Sequence, residues 1–151
     1  MRVRQMMRFI DNILKLDYSL SDWFSKTNQT IIARTAFLFL NKLAFLVSAL
    51  YFIILPILPI QLGIEVSVAI LCGLVVLVMY GLQSKIQAAI ENLNYYKEYS
   101  KLDTTTKRMK RILGVGLFIT CFILMFVSGV SSFTRYGDKV RYQLQKKEYT
   151  N

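Results

Sequence analysis

Three long apolar runs constrain this chain more than any other feature, because each approaches the length needed to cross a lipid bilayer. They cover residues 43–60, 66–82 and 112–133. A hydrocarbon core about 30 Å thick needs roughly 20 helical residues at about 1.5 Å each. A soluble domain would instead distribute its apolar residues, which make up 54% of this chain, over short periodic stretches. The sequence therefore predicts an all-α, polytopic integral membrane protein.

An amphipathic helix is predicted before the first run. Within residues 2–17, apolar side chains such as Ile10, Ile13 and Leu14 recur at helical spacing, and basic residues flank them. This pattern is typical of a helix on a membrane surface, and equally of one that packs on the protein's own cytosolic parts. Ser19 is predicted to cap a second short helix after it.

The first two runs are predicted to form a tight transmembrane hairpin, because Pro56 and Pro59 end the first helix and only a short polar turn follows. No helix breaker lies between Gly81 and Leu102, so the second helix is predicted to continue into the cytosol. The chain then divides into five segments. These are interfacial helices (1–33), the hairpin (34–83), a cytosolic helix with a basic collar (84–110), a third span (111–133) and a basic tail (134–151).

Lys42 interrupts the stretch FLFLNKLAFL, in which almost every other residue is apolar. Counting back from the end of the first run places it near one membrane boundary. We therefore predict that its four-carbon stem extends to the lipid headgroups. The alternative is a functional lysine within the membrane.

A second candidate for interaction is an apolar stripe on the cytosolic helix. Ile86, Ile90 and Leu93 are predicted to share one face that must be covered outside the bilayer. Either the amphipathic N-terminal helix or a second polypeptide could cover it.

Small residues four positions apart let membrane helices approach closely. The pairs Ala69/Gly73 and Ser128/Ser132 have this spacing in the second and third runs. They are predicted either to pack within the chain or to form a groove for another membrane protein or a second copy of this one.

Positive charge predicts the orientation. Six Lys and Arg residues lie in residues 1–34, none lies in the turn at 61–65, and seven lie in residues 83–111. The positive-inside bias places the N-terminus and the 83–111 segment in the cytoplasm, next to an anionic inner leaflet. Three spans put the tail outside although it carries five cations. A re-entrant third segment would keep it inside.

The composition argues against catalysis and against metal binding. There is no histidine, and the two cysteines lie in different apolar runs without metal-binding spacing. We therefore expect no cofactor, no metal and no enzymatic activity. Nucleic acid is a poor partner for basic clusters that border apolar runs.

These features favour a small protein of the bacterial inner membrane that acts by protein–protein interaction, as an accessory subunit or as an immunity or exclusion protein. The alternative is a self-associating, pore-forming or membrane-disrupting effector. A lipid-handling enzyme is a more distant third.

Overall fold

The computed structural model describes residues 2–25, 27–57, 64–93 and 95–148. These residues form α-helices and one short 3₁₀ turn, Leu55–Ile57, and none of them forms a strand. The helices are α1 (Arg2–Phe24), α2 (Asn28–Ile54), α3 (Ile64–Asn92), α4 (Tyr95–Ser100) and α5 (Thr104–Glu148). The predicted all-helical class is confirmed.

Within the described ranges, three helices are long and apolar enough to cross a membrane, as the three apolar runs predict. The qualifying segments are Gln29–Ile57, Glu65–Asn92 and Thr104–Arg135. α2 lies between α3 and α5 and contacts both. It ends at the 3₁₀ turn that contains Pro56, in agreement with the role predicted for this proline. Pro59 and residues 61–63 of the predicted hairpin turn lie outside the described residues, and Ile64 and Glu65 belong to α3.

α1 is a single helix, so the prediction that Ser19 caps a second helix is wrong. Ser19 is fully buried, and its Oγ donates a hydrogen bond of 3.2 Å to the backbone carbonyl of Lys107. A capping serine would use its Oγ as an acceptor for its own helix. Here a contact with α5 occupies the hydroxyl, and the helix continues to Phe24.

The second helix continues beyond its apolar run as predicted, as far as Asn92, but the prediction of an unbroken helix to Leu102 is wrong, because the short helix α4 follows as a separate element. The sequence Asn92-Leu93-Asn94 includes two weak helix formers. After the break, Tyr95 and Tyr99 are both buried. The burial of these two rings favours the end of α3 at this point over one more turn of solvated helix.

α5 begins at a cap and has no interruption. The backbone N–H of Thr106 donates to the Asp103 carboxylate at 3.1 Å, so Asp103 caps the helix. The helix then continues over 45 residues to Glu148. At about 1.5 Å per residue this exceeds the thickness of a bilayer core.

Candidate functional site around the Asp17–Lys42 ion pair

α1 packs against the other helices through its apolar face. Leu14 and Tyr18 enter the main buried cluster, in which the Tyr18 ring meets the Tyr99 ring edge to face at 5.6 Å between centroids. The other members come from α2, α3 and α4: Ile31, Ala36, Ile90 and Tyr95. The amphipathic helix is therefore covered by the protein's own core in this structure.

The close approach of α1 to α5 depends on Gly114. A Cβ atom at this position would lie 3.2 Å from the backbone carbonyl oxygen of Leu16. That separation is tighter than an ordinary contact, and backbone atoms yield less readily than flexible side chains. Gly116, two residues later, has open space at the same position.

Each of the three carboxylates of α1 binds a different helix. Asp11 accepts a hydrogen bond of 2.5 Å from the Tyr95 hydroxyl of α4. Asp22 lies 3.4 Å from the Arg111 guanidinium of α5. Asp17 forms an ion pair with Lys42 of α2. Polar contacts thus fix α1 at three points along its length, in addition to its apolar face.

The Asp17–Lys42 pair is the most buried of these contacts. Asp17 is 0% exposed and Lys42 is 3% exposed. The Lys42 ammonium also lies 5.9 Å from the centre of the Phe118 ring of α5, within the range of a cation–π contact. The pair therefore joins α1, α2 and α5 at one place.

Burial raises the pKa of Asp17 from 3.8 to about 6, and the charge of Lys42 partly opposes this shift. The loss of hydration thus disfavours the carboxylate more than the lysine favours it. Only Oδ1 faces the ammonium, and Oδ2 has no hydrogen-bond partner among the described residues. Ser21 is one turn further along α1, and its buried hydroxyl likewise has no partner there.

The partly exposed pairs differ from this one. Lys15 bridges Glu98 at 2.8 Å and Asp11 at 3.2 Å, and the hydrogen bond with Glu98 raises its pKa. Exposed pairs contribute little because water and salt screen them. The energetic effect of charge on α1 docking is therefore concentrated at Asp17 and Lys42.

The prediction that the Lys42 stem extends toward the lipid headgroups is wrong. Its ammonium turns to Asp17 because α1 occupies the space beside α2 at this level. A buried cation needs a counter-charge far more than one at an aqueous interface does. Whether Lys42 has a functional role beyond this pair stays a prediction.

Asp17 is the residue that sequence reasoning missed, although a signal was present. It follows Ile10, Ile13 and Leu14 at helical spacing, and so belongs to the apolar stripe of α1 rather than to its solvent-exposed face. A carboxylate on a buried face and an isolated lysine in an apolar run each require a partner.

The stripe predicted on the cytosolic helix is only partly covered. Ile90 is 2% exposed and belongs to the cluster that contains Leu14 and Tyr18 of α1, and Ile86 packs at its edge. Leu93 follows the end of α3 and is 47% exposed. Of the two predicted alternatives, the N-terminal helix of the same chain covers the stripe at Ile90.

The small-residue pairs have different surroundings. Ser132 is buried and Ser128 half-buried, and Gly129 between them faces the Phe52 ring of α2. This pair packs within the chain. Ala69 and Gly73 are both exposed on α3, and a Cβ at Gly73 would meet no atom within 4 Å.

No family model, curated protein or solved structure matches this chain. Within the described ranges, no group of three or more His, Cys, Asp or Glu side chains is placed to hold a metal ion.

Proposed function

We propose that this chain is an integral protein of the bacterial inner membrane that acts without catalysis, by binding another membrane protein as an accessory, immunity or exclusion factor. The observation that carries the proposal is the open face of α3. About a third of the most apolar segment of α2 is buried in the chain (33%), against 6% for α3. α3 therefore has most of its surface available for lipid or for a partner.

The open face of α3 has the composition that favours helix association. Ala69 and Gly73 lie one turn apart on the same face of the helix, and Gly81 follows about two turns later. A Cβ at either glycine would meet no atom within 4 Å. In a bilayer, close backbone contact replaces the hydrophobic effect as the main source of attraction between helices. This face thus supports docking of a second membrane helix.

A cytoplasmic N-terminus is the orientation that this proposal includes. It is supported by the thirteen cations of residues 1–34 and 83–111 against five in the tail. α1, the start of α2 and the start of α5 pack together, so these two cationic segments share one end of the molecule. The length of α5 supports a full third span, with the tail on the other side.

Photo-crosslinking in the native host tests the interaction. A photoreactive amino acid at Gly73 should give an adduct larger than the monomer, and one at Gly116 serves as the control because it has equally open space on α5. An adduct at Gly73 with a different protein supports the proposal. A homodimer would favour the alternative of self-association, and expression of the chain alone should then depolarise the membrane. No adduct at Gly73 would contradict the proposal.

Cysteine labelling tests the orientation separately. In a chain with Cys72 and Cys121 replaced by alanine, Lys97→Cys should react only after the inner membrane is permeabilised, and Lys146→Cys should react in intact spheroplasts. If Lys146→Cys reacts only after permeabilisation, three full spans with a cytoplasmic N-terminus are wrong.

A further inference from the structure

A groove between the end of α1 and the beginning of α5 combines positive charge with an apolar wall. Its volume is about 550 Å³. Three cations line it, Lys107, Arg108 and Arg111. Trp23, Ile112 and Val115 provide the apolar side chains. The cations precede the third apolar run and the aliphatic residues begin it, so charge gives way to apolar surface within about one helical turn.

Arg111 is held in position by other elements of the fold. Its Nε donates to the Ser19 carbonyl at 3.3 Å, and its Nη2 approaches Asp22 at 3.4 Å and the Tyr99 hydroxyl at 3.3 Å. No hydrogen bond to the described residues uses Nη1. Because the guanidinium is already ordered, binding an anion at Nη1 would cost little side-chain entropy.

The other two cations differ in their freedom. The Lys107 ammonium lies over the Tyr99 ring at 4.9 Å and is half-buried. Arg108 is exposed and forms no ion pair with the described residues. Asp22 is the one carboxylate bonded to these three cations in the described part, and so the groove keeps an excess of positive charge.

We propose that this groove binds one anionic phospholipid. The phosphate lies between Arg108, Lys107 and Nη1 of Arg111, and an acyl chain follows Ile112 and Val115 along α5. A phosphate group alone would satisfy the cations, but only a lipid also covers the adjoining apolar wall. Basic pockets at the cytoplasmic ends of membrane helices bind lipid headgroups by this combination.

Trp23 provides a probe at the site, because it is the only tryptophan in the chain. Its ring lies 5.9 Å from the Arg111 guanidinium and is 59% exposed. Bromine on an acyl chain quenches indole fluorescence only in near contact. The full chain is therefore reconstituted in vesicles with increasing fractions of brominated phosphatidylglycerol or brominated phosphatidylcholine, and quenching gives the preference for the anionic lipid.

We expect stronger quenching by the anionic lipid and a preference about fivefold lower in Arg108→Gln, the effect of one cation near an anionic surface. Arg108→Lys should keep most of the preference. Lys97→Gln is the matched control, because it removes one exposed charge from α4 outside the groove. Glycerol phosphate added in solution should not relieve the quenching.

Three results would overturn the site. An equal loss of the preference for anionic lipid in Arg108→Gln and Lys97→Gln would show that general surface charge, and not the groove, causes the preference. Relief by glycerol phosphate would identify a soluble phosphate ligand instead. Equal quenching by both lipids would show a membrane-inserted chain without a lipid site. The inference rests on the proposed membrane location, and absence of quenching by either lipid would contradict that location as well.

Discussion

Replacement of Lys42 by methionine should undock α1 by leaving the Asp17 carboxyl buried without a cation. Methionine keeps an unbranched side chain of similar length beside the Phe118 ring, so loss of charge dominates over loss of packing. The matched control is Lys97→Met, which removes an exposed lysine from α4.

The magnitude follows from the burial of the pair. Removing one partner of a buried ion pair typically costs about 3–5 kcal/mol. Without Lys42 the pKa of Asp17 rises further above about 6, so the carboxyl takes up a proton on folding, which costs about 1.4 kcal/mol for each unit by which the working pH exceeds 3.8. We expect the free energy of unfolding to fall by about 3 kcal/mol, the lower end of this range, because Asp17 gains a proton more readily than an ordinary carboxyl.

Asp17→Asn and the double variant Asp17→Asn/Lys42→Met complete a double-mutant cycle with Lys42→Met. Asp17→Asn should also destabilise the docking of α1, because it leaves the buried Lys42 ammonium without a counter-charge. The double variant should recover most of the stability and differ from wild type by about 1–2 kcal/mol, the effect of an unpaired buried amide.

The assay is reversible unfolding in mixed detergent micelles with increasing dodecyl sulfate. Trp23 reports on α1 and far-ultraviolet circular dichroism reports on total helix, so undocking and loss of the spans are separated. A Lys42→Met protein as stable as wild type would refute the role of the pair. So would a double variant no more stable than Lys42→Met. An equal loss at pH 4 and pH 7 would indicate poor packing of methionine rather than an uncompensated carboxylate.

Three further predictions follow from the same contacts. Between pH 7 and pH 4 the folded chain binds a proton at Asp17 more tightly than the unfolded chain, since its pKa is about 6 instead of 3.8. The free energy of unfolding should therefore rise through this group as the pH falls, by up to about 3 kcal/mol, and Asp17→Asn should remove that slope. Gly114→Leu should destabilise α1 docking by about 1–3 kcal/mol by overpacking, whereas Gly116→Leu should not, as judged by the Trp23 transition. Ile90→Glu should undock α1 and abolish partner crosslinking while membrane insertion persists, and Leu93→Glu should leave both unchanged; an inactive Leu93→Glu with a docked α1 would mean that a partner covers this end of α3.

Part of the fold was predictable from the sequence because its causes are local. The length of an apolar run and its separation from the next depend on neighbouring residues alone, and they located α2, α3 and α5. The Asp103 cap is likewise a matter of a few consecutive residues. Recurrence of apolar residues every three or four positions was enough to identify α1 as amphipathic and Ile90 as a residue in need of cover.

The errors share a different cause. Ser19 has the composition of a cap, but its hydroxyl bonds to a residue 88 positions later in the chain. The end of α3 depends on where the Tyr95 and Tyr99 rings find a core to enter. Neither partner is visible in a short window of sequence, and tertiary contacts outweigh local propensities of a few tenths of a kcal/mol to about 1 kcal/mol.

The sequence by itself determined that Lys42 is an isolated cation among apolar residues, and that α1 has one face to bury. Only the tertiary structure decided that these two features meet. Asp17 and Lys42 are 25 residues apart, and their pairing requires α1 to lie back along α2 and against α5, where the absence of a side chain at Gly114 leaves room for its backbone. An ion pair depends on the distance between its charges in space. The sequence determines that distance only through the packing of α1 against α2 and α5.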